Sequence, residues 1–248
     1  MARSERKERL DVLLTERGLF TSRERARAVV MAGAVSVGGL PATKPGVRYP
    51  VSSDIAVASD PVPYVSRGGL KLARAFDEWG IDVDGAVCAD IGASTGGFTD
   101  LMLQRGARKV YAIDVGYGQL DWKLRNDGRV VNMERTNVRY LDMALIGERP
   151  VFISVDVSFI SLKLVLPVAA AMLAPAGAIV ALVKPQFEAK RGQVGKNGVV
   201  RDESVRQEAV RSARAYANEN GFAKADVIES PITGAKGNVE YLMRCEYE

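Results

Sequence analysis

The 248-residue chain contains no histidine. That absence removes serine–histidine and cysteine–histidine nucleophile systems and the usual imidazole metal sites. Proton transfer is left to carboxylate, lysine, tyrosine or cysteine. Cysteine is nearly as scarce. Cys88 and Cys245 stand alone, in no spacing that makes a disulfide framework or a zinc site, so the expectation is a reducing compartment and no metal. The opening MARSERKERL lacks an apolar signal core, and a cytoplasmic location is expected. Long apolar runs are also missing. The longest candidate, Leu162 to Val183, is broken by Pro167, Pro175 and Gly177 and has Lys163 and Lys184 at its ends. It reads as a buried helix, a turn and a buried strand, and no membrane partner is expected.

What is present suits a soluble globular protein with one large domain and one small one. The net charge of +4 is unevenly spread: residues 1–50 carry ten Lys/Arg against five Asp/Glu, and the remainder is near neutral. A basic end on a near-neutral body points to an acidic polymer as partner.

That basic end has its own pattern. In RLDVLLTERG, Leu10, Leu13 and Leu14 mark a short amphipathic helix that stops at Gly18. Thr21 or Ser22 can cap a second helix that presents Arg23, Arg25 and Arg27, with Ala26, Val29 and Val30 turned inward. Gly33 ends it, and AVSVGG reads as a strand entering a turn. Arg9, Arg23, Arg25 and Arg27 are therefore candidate phosphate contacts. The order RLD, TSRERA, AGAVSVGG resembles the S4 RNA-binding domain over about the first sixty residues, which implies binding of structured RNA.

Asp60-Pro61-Val62-Pro63 stiffens the chain, and the expected organisation is a small domain over 1–60, a linker over 61–66 and a large domain over 67–248. In the large domain, helices alternate with strands (AVCADIG, KVYAIDV, VVNMERT, VFISVDVS, GAIVALVKP) and two strands close the chain. This pattern predicts an α/β fold, a Rossmann-like, mostly parallel sheet with helices on both faces and an antiparallel last strand. Ligands of such sheets lie beyond the carboxyl ends of the strands. There the sequence places DIGASTGG: Asp90, Gly92, Ser94, Thr95, Gly96 and Gly97. Ser94 occupies the second glycine position of the dinucleotide fingerprint, and the Gly-Lys-Ser/Thr of a Walker loop is absent. Asp90 before the first glycine suits an ammonium group. Asp114, ending the next strand beside Val115, suits a pair of ribose hydroxyls. A nucleoside joined to an amino acid, S-adenosylmethionine, satisfies both.

Four more residues fall at strand ends or on the preceding helix: Lys71, Asp156, Lys184 and Glu240. Lys184 closes the apolar run Ala178 to Val183, where lost hydration favours a neutral amine able to accept a hydroxyl proton. Methyl transfer from a sulfonium fits such a pocket and requires no metal.

DIGASTGGFTD, AIDVGYGQL, ERTNVR, SVDVSFISL, LVKPQFE and KGNVEY closely resemble the TlyA (haemolysin-A-type) ribosomal RNA methyltransferases, which join an S4 domain to an FtsJ-like methyltransferase domain. The resemblance covers nearly the whole chain. It implies methyl transfer to the ribose 2′-hydroxyl of cytidine in bacterial ribosomal RNA or ribosomal subunits. It maps a Lys-Asp-Lys-Glu tetrad onto Lys71, Asp156, Lys184 and Glu240. It also sets the cofactor loop at Asp90 to Gly97, Asp114 at the ribose and Asn137 near adenine. The stretch Val62-Pro63-Tyr64-Val65 departs from the family's Arg-Ala-Trp-Val. Arg67 and a glycine-rich loop with Lys190, Arg191, Lys196 and Arg201 add further candidate RNA contacts. Three rival readings remain: a membrane-active haemolysin, an RNA-binding assembly factor with an inert methyltransferase fold, and an NAD-dependent dehydrogenase.

Overall fold

The computed structural model describes residues 6–20, 22–31, 33–57, 63–190 and 192–247. The chain divides into two compact units, Met1–Arg67 and Gly68–Glu248. The candidate cap Thr21, the Asp60-Pro61-Val62 part of the expected boundary, and Arg191 lie outside the described residues.

The first unit runs β1 (Lys7–Arg9), α1 (Leu10–Glu16), α2 (Arg23–Met31), β2 (Val35–Val37), β3 (Leu40–Pro41), β4 (Arg48–Pro50) and β5 (Ile55–Val57). Strand β1 pairs antiparallel with β4, and β2 is flanked antiparallel by β3 and β5. Leu10, Leu14, Ala26, Val29, Val30 and Val35 form its core. A short strand precedes the first helix, which the leucine pattern alone does not reveal, because three residues are too few to show a period of two.

Buried beneath the basic surface is Asp11. Its side chain has no exposure, and its two oxygens accept a fork from Arg9 at 2.9 Å each, with Arg23 adding a bond at 3.2 Å. The hydrogen-bonded Arg9 guanidinium, with Arg23, holds the Asp11 carboxyl down at about 2. Two candidate RNA-binding arginines thus share one buried anion. Arg25 instead donates to the Tyr64 carbonyl. Arg27 and Arg67 are exposed and line one shallow cleft with Glu24, Ala28 and Met31.

The second unit begins with α3 (Gly68–Trp79), β6 (Val87–Ile91), α4 (Gly97–Gln104), β7 (Lys109–Ile113), α5 (Trp122–Arg125) and β8 (Val130–Met133). It continues through β9 (Phe152–Val155), α6 (Leu162–Met172), β10 (Ala178–Val183), α7 (Pro185–Glu188), α8 (Glu203–Glu219), β11 (Lys224–Glu229) and β12 (Tyr241–Glu246). The seven strands are ordered β11-β12-β10-β9-β6-β7-β8. Only β12 runs against its neighbours, as expected from the closing pair of strands. The segment LDWKLRNDG gives a single turn, α5, capped by Asp121 and stopped by Asn126. Pro167 is accommodated inside α6.

Side-chain alternation along the strands decides where chemistry can occur. Ile153, Val155, Ile179, Ala181, Val183, Tyr241, Met243, Ala89 and Ile91 all enter the core that packs against α6 and α8. Their even-numbered neighbours face the other side, where Phe76 of α3 meets Phe152 edge to face at 5.3 Å. Asp90, Asp156, Lys184 and Glu240 share that even parity, so α3 with its Lys71 covers the face from which all four emerge.

Replacing Asp11 by Ala is expected to destabilise the first unit by about 1–3 kcal/mol, because the two arginines left behind can reach water. Amide exchange in α1 and α2 measures it. Since the carboxyl is depressed, its contribution is complete above the unfolded value of 3.8 and is lost as pH falls through about 2.

Candidate active site

At the carboxyl ends of β6, β9 and β10, the chain brings four charged groups into a row. Lys71 Nζ lies 2.6 Å from Glu240 Oε2 and 3.9 Å from Asp156 Oδ2. Asp156 Oδ1 lies 2.5 Å from Lys184 Nζ. The sequence of charges is Glu240, Lys71, Asp156, Lys184, alternating in sign along the row. The two lysines and Glu240 are buried, while Asp156 is about one-fifth exposed. Such burial is tolerable only because each charge faces an opposite one, and removing one partner leaves a neighbour uncompensated. Asp156 Oδ1 has the Lys184 ammonium close by but no aligned hydrogen bond. Lys184 directs its bond to Ser158 Oγ at 3.1 Å.

Two glycines permit this row. Gly92 has φ +87, and a β-carbon there would overlap the Asp156 carbonyl, so only glycine lets the ends of β6 and β9 approach so closely. A β-carbon at Gly234 would overlap the Glu240 carboxylate, so the turn before β12 leaves room for the group that pairs with Lys71.

The glycine-rich turn lies beside the row. Ser94 adopts φ +49, and its N–H donates to Asp114 Oδ2 at 2.8 Å. Gly116 N–H donates to Asp114 Oδ1 at 2.7 Å. Each Asp114 oxygen keeps a second acceptor site, as a ribose hydroxyl pair requires. Val115 beside it is 70% exposed, and Thr95 is exposed while Gly96 and Gly97 are buried. Residues 135–136 zip onto this edge, Arg135 N to Gly116 O and Thr136 N to Asp114 O. That brings Asn137 to the same edge, where its Oδ1 caps a short turn by accepting from Arg139 N. These groups fit the ribose and adenine half of S-adenosylmethionine.

Asp90 corrects the reading of the sequence. It is 1% exposed, with Oδ2 accepting from Thr99 N and Thr99 Oγ1 and Oδ1 from Ser154 Oγ. It caps the first turn of α4 and ties β6 to β9, rather than facing a ligand's ammonium. An acid ahead of a glycine turn looks the same in sequence in either role. Burial pushes its carboxyl up to about 7.

Sequence reasoning passed over Ser158, Phe159, Phe187 and Glu188. Glu188 accepts from Ser161 Oγ and Leu162 N, capping α6. Phe159 is 91% exposed with φ +62, and its ring lies 5.1 Å from that of Phe187, itself 5.9 Å from Lys184 Nζ. An aromatic three residues after a strand-end acid was the available signal; its exposure was not. Lys190 and Lys196 are exposed on the loop after Lys184. Among the described residues no cluster of metal-binding side chains occurs, and no helix is long and apolar enough to cross a membrane.

A seven-stranded sheet with one reversed strand, a glycine turn at the end of β6 and an acid at the end of β7 define a Rossmann-like methyltransferase. Comparison with known proteins specifies it further. Residues 64–247 match the FtsJ-like methyltransferase family and residues 8–55 the S4 domain. The chain belongs to the FtsJ-like methyltransferases that carry an S4 domain. It is 46% identical to the 16S/23S rRNA (cytidine-2′-O)-methyltransferase TlyA of Mycobacterium tuberculosis, covering 96% of this chain and 89% of that one. Identity to Hemolysin A of Brachyspira hyodysenteriae is 43%, covering 94% and 98%. A solved Streptococcus thermophilus structure bearing the haemolysin name superposes with TM-score 0.77 at 46% identity, covering 98% and 90%.

Two outcomes follow from this geometry. Gly92→Ala is expected to cost about 2–4 kcal/mol in the large domain, by backbone overlap and a left-handed φ, read by denaturant unfolding. Between pH about 4 and 7, native Asp90 keeps a proton that the unfolded chain has lost. Its contribution to stability therefore falls as pH rises through that window, and Asp90→Asn flattens the dependence.

Proposed function

We propose that this protein transfers methyl from S-adenosylmethionine to the ribose 2′-hydroxyl of cytidine in bacterial ribosomal RNA, with Lys184 as the proton acceptor. The observation that carries this reading is the buried row Glu240–Lys71–Asp156–Lys184 beside the glycine turn. When bound, S-adenosylmethionine supplies an electrophilic methyl group on a positively charged sulfur. Gly92 to Gly97 would allow its close approach, Asp114 would accept from its ribose hydroxyls, and Val115 and Asn137 would lie beside its adenine.

Lys184 Nζ, in its neutral form, takes the 2′-hydroxyl proton as the oxygen becomes nucleophilic. The ammonium so formed is stabilised by Asp156, and Ser158 fixes its direction. Lys71 and Glu240 hold Asp156 and balance its charge, so the proton arrives where a counter-ion is already in place. Low exposure limits competing water. Phe159 and Phe187 offer apolar faces to a nucleobase turned out of its stack, which explains an exposed phenylalanine held at positive φ. Arg9, Arg23, Arg27 and Arg67 on the S4 unit, and Lys190 and Lys196 near the site, bind phosphates. The names of the relatives at 46% identity support the substrate.

The test incubates purified protein with labelled S-adenosylmethionine and unmodified ribosomal subunits, then digests the RNA to nucleosides. Label in 2′-O-methylcytidine is expected. Label on a base, or none in either subunit, overturns the reading. Lys184→Ala is expected to lower kcat by about 10²–10⁴-fold with cofactor affinity retained, and Lys184→Arg not to rescue, since a guanidinium does not deprotonate. Phe159→Ala is expected to weaken RNA use about 5- to 100-fold, with Phe159→Tyr near wild type.

A further inference from the structure

Beyond the four charged groups, one buried amide links two surface turns. Asn238 is 3% exposed. Its Oδ1 accepts from Val200 N at 3.0 Å, and its Nδ2 donates to Gly198 O at 2.8 Å. Its own carbonyl accepts from Gly234 N at 2.8 Å. The side chain thus holds the turn 195–198, in the loop after Lys184, while the main chain closes the turn 234–237, just before Glu240. The turns are alike. Each closes by a bond back to a glycine, Gly198 N to Gly195 O and Gly237 N to Gly234 O. Each holds a non-glycine residue in the left-handed region, Asn197 at φ +71 and Lys236 at φ +62. Each displays an exposed lysine, Lys196 and Lys236. They also meet: Lys236 Nζ is 3.9 Å from where a β-carbon on Gly198 would sit.

Lysine is a poor choice for a left-handed position, and an exposed side chain gains nothing there from packing. Its charge is the remaining reason. Two exposed lysines on adjoining turns, joined through Asn238 two residues before Glu240, suit a polyanion backbone.

We propose that Asn238 joins the Lys196 and Lys236 turns into one basic jaw that grips the RNA backbone beside the target ribose. This deepens the methyltransferase reading and rests on it. Lys196 and Lys236 contact phosphate. Asn238 is a positioning residue that sets both turns relative to Glu240, so that gripping the RNA and ordering the charged row are one event.

The experiment measures binding of the full-length protein to unmodified large and small ribosomal subunits, separately, across a salt series with S-adenosylhomocysteine present. Lys236→Gly relieves strain and removes charge; Lys196→Gln removes charge alone. The double variant is expected to bind the unmodified substrate subunit about 10-fold more weakly and to reduce the slope of log K against log salt by about 1.5–2. Cofactor affinity should stay within about twofold. Asn238→Ala is expected to cause a similar loss, with little added when combined with the lysine variants. Asn238→Asp, which keeps the acceptor and loses the donor to Gly198, should fall between. Wild-type binding and salt slope in the double lysine variant overturn the proposal. So does full additivity, or an Asn238→Ala protein that loses melting temperature while binding RNA normally. Failure of the methyltransferase reading looks different: tight binding by the wild type with no ribose methylation.

Discussion

The protein depends on gathering two lysines and two carboxylates, three of them buried, at one edge of the sheet. Alone, any one of these charges would be expelled or neutralised at a cost of several kcal/mol. In alternation, each offsets the next, and Lys184 sits at the end of the row with an anion on one side. The surrounding structure makes this arrangement possible. The sheet's alternation sends Asp156, Lys184 and Glu240 to one face, α3 brings Lys71 over them, and Gly92 and Gly234 remove the atoms that would force the groups apart.

The same logic operates in the S4 unit at lower stakes. Asp11 is the buried anion, and Arg9 and Arg23 are the surface cations it steadies. A guanidinium already fixed in place loses less freedom when it meets a phosphate. Both units thus set basic side chains against a carboxylate: Asp11 holds Arg9 and Arg23, and Asp156 holds Lys184. The two buried thiols take no part: burial pushes Cys88 and Cys245 up to about 12, which leaves them as packing groups within the sheet.

Much of this was legible in sequence because strands leave a period. Strands alternating with helices fixed the fold class and set residues 156 and 184 at strand ends, while strands buried on both faces left the parity of their side chains to the structure. Lys71, one helix earlier, could be singled out by its place before the first sheet strand, but its pairing with Glu240 had no local signal. Asp90 was misread because an acid before glycines does not disclose which way its carboxylate turns; only Thr99 and Ser154, nine and sixty-four residues away, decide it. Phe159 and Asn238 were invisible for a related reason. One is defined by its exposure and the other by bonds to a loop forty residues distant, and neither property leaves a local pattern.

The most direct test of the central claim is a double-mutant cycle on single-turnover methyl transfer, pairing Lys71→Met with Lys184→Met. If the four charges work as one unit, either substitution alone removes most of the rate and the pair loses little more, giving strong non-additivity. Rate losses that simply multiply would mean that the two lysines act independently, and the coupled row would not be the basis of the chemistry.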